Sequence, residues 1–193
     1  MFCVMMLPEA ESVKRAPSPA TLEAMIKGIA EGNMTALHDL YDAVSGAVYG
    51  FALSITRSAH DAEDVLQETF LTVHGGAASY TAHGKPMAWI LRIARNHALM
   101  HLRRMKRYAP NGDDSLYNSE ALSRVDDAEE RILLKGLLES LTEQERQIVM
   151  LRAVVGMRSR EIAELLHLPL GTVLSKYSRS IKKTAGAVRG EIK

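Results

Sequence analysis

Cys3 is the only cysteine, which excludes an internal disulfide and a thiolate cage for zinc and fits a reducing compartment. Phe, Trp and Tyr together make up 5% of the 193 residues, so any core must be built mainly from aliphatic side chains. No apolar run approaches the roughly 20 residues of a membrane span, and the opening MFCVMMLPEAE lacks the basic start and small-residue cleavage site of a signal peptide. A cytoplasmic protein without direct membrane insertion is therefore expected. There is no alternating strand pattern, no glycine-rich phosphate loop, no nucleophile motif and no carboxylate pair apart from those on solvent-type helical faces. We accordingly expect no enzyme, no catalytic residue and no cofactor.

Acid is also missing, but only locally. Thr69 to Gly112 contains no Asp or Glu, yet it holds Lys85, Arg92, Arg95, Arg103, Arg104, Lys106 and Arg107. Leu165 to Gly190 is a second basic, acid-free stretch. Between them, Asp113 to Glu130 carries seven acids against the single base Arg124. The formal net charge of +1 thus hides two basic blocks around an acidic connector, the pattern of a protein that touches a polyanion twice.

What is present is helical periodicity. Hydrophobic residues make up 47% of the chain, ample for a core. Residues 8–20 carry three prolines and little apolar content, so residues 1–20 read as a disordered leader. The pattern predicts a helix from Thr21, acting as N-cap, to about 31, with Leu22, Met25, Ile26 and Ile29 on one face. A second runs from about 35 to 57, with a stripe that includes Leu37, Leu40, Tyr41, Val44, Val48, Phe51 and Ile55. A third spans 59–74 and is ended by Gly75-Gly76. After a loop, Pro86 opens a fourth that reaches about 108. Residues 109–127 are polar, acidic and Gly/Pro-containing and read as the linker between domains at 21–108 and 128–185, followed by a tail at 186–193. In the second domain, helices are expected near 127–140, 142–155, 159–166 and 170–185, with Thr142 and Glu145 forming a capping box. The expected fold is all-α: two small four-helix domains joined by a flexible acidic linker.

Residues 159–183, SREIAELLHLPLGTVLSKYSRSIKK, have the form of a helix-turn-helix. Ser159 caps the first helix, His167-Leu168-Pro169 makes the turn, and the second helix should bury Val173 and Ile181. Thr172, Ser175, Lys176, Arg179 and Lys182 then face outward, where such a helix meets base edges and phosphates in the major groove.

The stretch LTEQERQIVMLRAVVGMRSREIAELLHLPLGTVLSKYSRSIKK resembles region four of the extracytoplasmic-function sigma factors of bacterial RNA polymerase. It departs from the usual family pattern at Arg160, at His167 where Gly is common, at Leu174 where Lys is usual and at Lys176 where Arg is usual. DAEDVLQETFLTVH, residues 61–74, is similar to the region-two segment that docks on core polymerase, with His74 where Trp is frequent. That resemblance implies Asp61, Asp64, Gln67 and Glu68 as core contacts. PMAWILRIARNHALMHLRRMKR is similar to the segment that captures and melts the downstream promoter element, with Met100 where Asp is common. It implies Arg92, Arg95, Asn96, Arg103 and Arg104 as DNA contacts, joined by the loop residues Tyr80 and His83 beside an unstacked base. Trp89, in phase with the apolar stripe, is expected in the core.

The implied function is an alternative sigma factor that binds core polymerase and promoter DNA and is held by an anti-sigma factor. The alternative is a helix-turn-helix repressor with a helical sensor domain, which would bind duplex DNA alone and ignore core polymerase. His97 and His101 have the spacing of two metal ligands on one helix. With no acid between them and no third ligand evident in the sequence, no metal is expected.

Overall fold

The computed structural model describes residues 17–108 and 140–191. Every regular element among them is helical. Helix α1, Pro19–Ala30, begins two residues before the sequence-based start. Pro19 supplies a preset φ without needing an N–H partner, and Ser18 rather than Thr21 is the cap, its Oγ accepting from the Thr21 N–H at 3.1 Å. Pro19 and Ala20, assigned to the leader by sequence, are therefore helical, while the rest of that leader up to residue 16 lies outside the described residues.

Asn33 caps α2, Met34–Thr56, with Oδ1 accepting from the N–H groups of Thr35 and Ala36. Ser58 caps α3, Ala59–Gly76. This helix does not stop before its glycines: it runs through both and tightens into a 3-10 turn, Ala77–Ser79. Two glycines weaken a helix by only about 1 kcal/mol each, and Ala77, buried in the core, holds the turn down. A loop leads to α4, Pro86–Tyr108. Phe51, Leu40 and Val48 of α2, Val65 and Val73 of α3 and Ile90 and Leu91 of α4 are all fully buried, with Ile26 of α1 closing one side. Each such side chain stabilises the unit by ~1.5–3 kcal/mol relative to exposure.

The helix expected at 127–140 and the linker at 109–127 lie outside the described residues, apart from Ser140. Thr142 caps α5, Glu143–Val149, through the expected capping box with Glu145. The chain then loosens into a π-helical turn, Met150–Val154, and reverses at Gly156, whose φ is 77°. Helix α6, Ser159–Leu166, begins after Arg158, whose N–H donates to Glu161 Oε2 at 2.8 Å, so Ser159 is the first helical residue rather than the cap. It ends at His167, held at φ 55°. Helix α7 is Leu170–Glu191.

The two helical units touch. Met150 lies so close to Gly50 of α2 that a Cβ at position 50 would collide with it. Lys85 Nζ and Glu164 Oε2 are 3.0 Å apart, and the buried residues of α5, α6 and α7 continue the apolar cluster of α1 to α4.

Candidate functional site

Three surfaces carry the predicted residues. The first is the loop from Tyr80 to Lys85 together with the exposed side of α4. One carboxylate oxygen, Glu23 Oε1 on α1, accepts from the Tyr80 hydroxyl at 3.2 Å and from the Gly84 N–H at 2.8 Å. Gly84 has φ 68°, a conformation that a side chain would strain. Burial, and then the charge of Glu23, push the Tyr80 phenol above its ordinary value, so it stays a neutral donor. Its ring packs on Trp89 with centroids 4.8 Å apart at 49°. Trp89 is half-buried: one part joins the core, as expected, and another lines the surface crevice. His83, Arg92, Asn96, Arg103 and Arg104 are exposed. Arg95 is half-buried, and its Nε is buried without an acceptor. Tyr80, His83, Lys85, Trp89 and Arg92 form one wall of a crevice of about 320 Å³, and Glu161, Glu164 and Leu165 of α6 form the other.

The second surface lies along α3. Gln67 is exposed, Asp64 and Glu68 are half-exposed, and Asp61 is mostly buried. These acids do not simply face solvent, because α4 packs beside them. His97 Nδ1 is 2.9 Å from Glu68 Oε2, His101 Nε2 is 3.4 Å from the same oxygen, and His101 Nδ1 is 3.9 Å from Asp61 Oδ1. The His97 ring is fixed on its other side by Thr72 Oγ1 at 2.9 Å. Next to Gln67 opens an apolar groove of about 490 Å³, lined by Met34, Leu37, Tyr41, Phe70, Leu71 and His74. Leu71 is 73% exposed there. Sequence reasoning missed this groove, since it put Tyr41 inside the core stripe. The available signal was Leu71, an apolar residue out of phase with the buried face of α3.

The third surface is α7. Ser175, Arg179 and Lys182 are exposed, while Thr172 and Lys176 are half-buried. Arg179 Nε donates to the Ser175 carbonyl at 3.3 Å, laying the guanidinium along the helix. Val173 is buried as expected, but Ile181 is 42% exposed, and fully buried Ser180 takes its place. The reason is helical phase: a residue seven after Val173 returns to the same face within about 20°, whereas one eight after is turned by about 80°. The Ser180 hydroxyl is satisfied by donating to the Lys176 carbonyl at 2.9 Å.

Residues 40–108 match the family model Sigma-70 region 2, and residues 131–184 match Sigma-70, region 4. The chain is 29% identical over 169 residues to the ECF RNA polymerase sigma factor SigK of Mycobacterium ulcerans, covering 83% of this chain and 90% of that protein. It is 28% identical over 135 residues to the ECF RNA polymerase sigma factor SigM of Bacillus subtilis, covering 68% and 82%. In fold it is similar to CnrH, solved in complex with the cytosolic domain of CnrY, at TM-score 0.64 and 23% identity over 88% of this chain and 98% of that one. It is also similar to the sigma factor RpoE of Bartonella quintana, solved with the anti-sigma factor NepR, at TM-score 0.60 and 20% identity over 79% and 96%.

A region-two unit followed by a region-four helix-turn-helix defines a sigma subunit of RNA polymerase, a regulatory DNA-binding protein by family. The chain belongs to the ECF sigma factors, binding core polymerase and directing promoter recognition in transcription initiation. The repressor alternative is thereby set aside. Among the described residues, no helix is long and apolar enough to cross a membrane.

Proposed function

We propose that this sigma factor works in the cytoplasm with a division of surfaces, and that in the free protein α6 covers part of the downstream-element surface. Asp61, Asp64, Gln67 and Glu68, with the apolar groove beside Gln67, dock on core polymerase. Tyr80, His83, Arg92, Arg95, Asn96, Arg103 and Arg104 hold the downstream element as its strands part. Thr172, Ser175, Lys176, Arg179 and Lys182 read the upstream duplex in the major groove. The domain limits that serve this division are those read from the sequence, 21–108 and 128–185, shifted to start at Pro19.

The observation that carries the closed state is α6 seated over the crevice beside the loop from Tyr80 to Lys85. Glu161 and Glu164 occupy the approach that phosphates would take to Lys85 and Arg92, and the 3.0 Å Lys85–Glu164 pair fastens the contact. Docking on core then has to part the units before the crevice beside Lys85 and Arg92 can take DNA, whereas the α7 face is already exposed. An anti-sigma factor that favours the closed form would hold this protein silent, and the similar sigma factor RpoE of Bartonella quintana was solved with an anti-sigma factor, NepR.

Two measurements test this reading. A Glu164→Gln, Met150→Ala double variant should bind a fluorescent single-stranded downstream-element oligonucleotide more tightly than the wild-type protein without polymerase. Equal binding would remove the closed state. Asp64→Lys with Glu68→Lys should lose core polymerase in a pull-down while remaining helical by circular dichroism, and retained core binding would remove the docking assignment.

A further inference from the structure

We infer that the seam where α3 packs on α4 is a binding site for a zinc-class divalent cation, with Asp61, Asp64 and His101 as ligands. One ligand atom from each of these three side chains can be chosen so that all lie within 4.8 Å of one another. Two ligands about 2.0–2.1 Å from a tetrahedral zinc sit roughly 3.4 Å apart, so a modest closing of the side chains brings them to bonding positions. All three are partly buried, with side-chain exposures of 19% for Asp61, 42% for Asp64 and 13% for His101, leaving one open side for water as a fourth ligand.

The surroundings point to an ion rather than to a simple acid–histidine contact. His101 Nδ1 faces Asp61 at 3.9 Å, and its Nε2 is buried yet completes no hydrogen bond. An ion on Nδ1 fixes the tautomer that carries the proton on Nε2, and the acceptor for that proton already stands 3.4 Å away as Glu68 Oε2. Glu68 is itself held at 2.9 Å by His97 Nδ1, and His97 Nε2 by Thr72 Oγ1 at 2.9 Å. Metal-binding imidazoles are typically oriented by such a chain, a carboxylate on the distal nitrogen with further hydrogen bonds behind it. A mixed imidazole and carboxylate set suits zinc, cobalt or nickel, whereas magnesium prefers oxygen ligands and retains its waters.

Asp61 and Asp64 are also assigned above to core docking, so a bound ion would neutralise part of the docking face; this consequence rests on that assignment, whereas the site itself does not. The test begins without polymerase. Full-length protein is titrated with Zn2+ by calorimetry and with Co2+ by visible absorption, where a four- or five-coordinate site with a nitrogen ligand gives d–d bands. Wild type should bind one ion. His101→Gln and, separately, Asp64→Asn should weaken binding at least 100-fold, Glu68→Gln should weaken it by about 10–100-fold, and His38→Gln, which removes another surface histidine paired with an acid, should change nothing. His101→Gln could perturb the α3–α4 packing, so the half-exposed Asp64→Asn provides the independent arm. No ion bound by the wild type, or undiminished binding in both ligand variants, overturns the site. The last arm adds Zn2+ to a core pull-down and expects weaker capture of the wild type. A bound ion that leaves capture unchanged overturns the docking role of Asp61 and Asp64 and leaves the ion site standing.

Discussion

The two helices proposed to face DNA are held by different means. Helix α4 is a wall of the N-terminal core: Ile90, Leu91, Ala94 and Ala98 are fully buried on one side, while Arg92, Asn96, Arg103 and Arg104 are exposed on the other. Helix α7 contributes little to any core. Its fully buried described side chains are Val173 and Ser180, while Leu170, Leu174 and Ile181 are exposed. In place of a deep apolar seat it has polar fastenings, including Lys183 at 3.3 Å from Glu145 of α5. A helix that is also a core wall offers a rigid platform for holding unstacked bases. One fastened at a few points can be presented to a groove as a separate reading unit, and its sequence can vary without endangering a core.

The sharpest way to break this contrast is to remove core mass from one side. Phe51 is fully buried, and Phe51→Ala should cost ~3–5 kcal/mol in denaturant unfolding, against about 2 kcal/mol for Val173→Ala. Hydrogen exchange followed residue by residue should show the amides of α2, α3 and α4 opening first in the Phe51 variant. If the amides of α7 open equally, the units unfold as one block and the contrast fails.

The next effect is functional. Arg179 lies exposed on α7, so Arg179→Ala should weaken holoenzyme recruitment by ~1–3 kcal/mol while leaving the unfolding midpoint in place. Arg95 is half-buried in the wall helix, so Arg95→Ala should impair promoter opening, seen as lost permanganate reactivity of downstream thymines, and should also shift the unfolding midpoint. A premelted bubble should rescue the Arg95 variant more than the Arg179 variant. Equal rescue would mean that the two helices do not divide recognition from melting.

What the sequence could and could not reveal follows the range of the interactions involved. Local signals were legible: the Thr142–Glu145 capping box, Pro86 at the start of α4 and the turn at His167 depend on residues within a few positions of each other. His167, which the family resemblance marks as a departure from a common Gly, sits on a left-handed backbone at φ 55°, a conformation that favours Gly. Phase is harder to read from a marginal stripe: apolarity points to Ile181, whereas helical phase buries the less apolar Ser180. Interactions across helices were invisible. Glu23 fastens Gly84 from 61 residues away, and the acids that approach His101 come from another helix altogether. The spacing of His97 and His101 is legible in the sequence, but their acidic neighbours come only from the packing of α3 on α4.

The smallest effect tests the fastening itself. Glu145 is almost wholly buried, and its Oε2 accepts from the Thr142 N–H at 3.0 Å and lies 3.3 Å from Lys183 Nζ, linking the start of α5 to α7. The Thr142 backbone N–H is the leading reason that the carboxyl titrates below its ordinary value; burial opposes the shift, and the Thr142 hydroxyl and Lys183 add to it. A carboxylate whose folded value is depressed contributes its full stability above the unfolded value of about 4.3 and loses it as pH falls through the folded value. Glu145→Gln should therefore cost about 1 kcal/mol at pH 7, in the range of a lost cap. The gap between variant and wild type should shrink as the pH is lowered through the acid range, because the wild-type side chain then becomes neutral as well. Urea unfolding of both proteins at neutral and acid pH measures that gap directly, and comparing the two proteins cancels the titration of every other group they share. A gap that stays constant with pH would mean that the Glu145 charge contributes nothing to holding α7, and that the helix relies instead on Val173 and its few apolar neighbours.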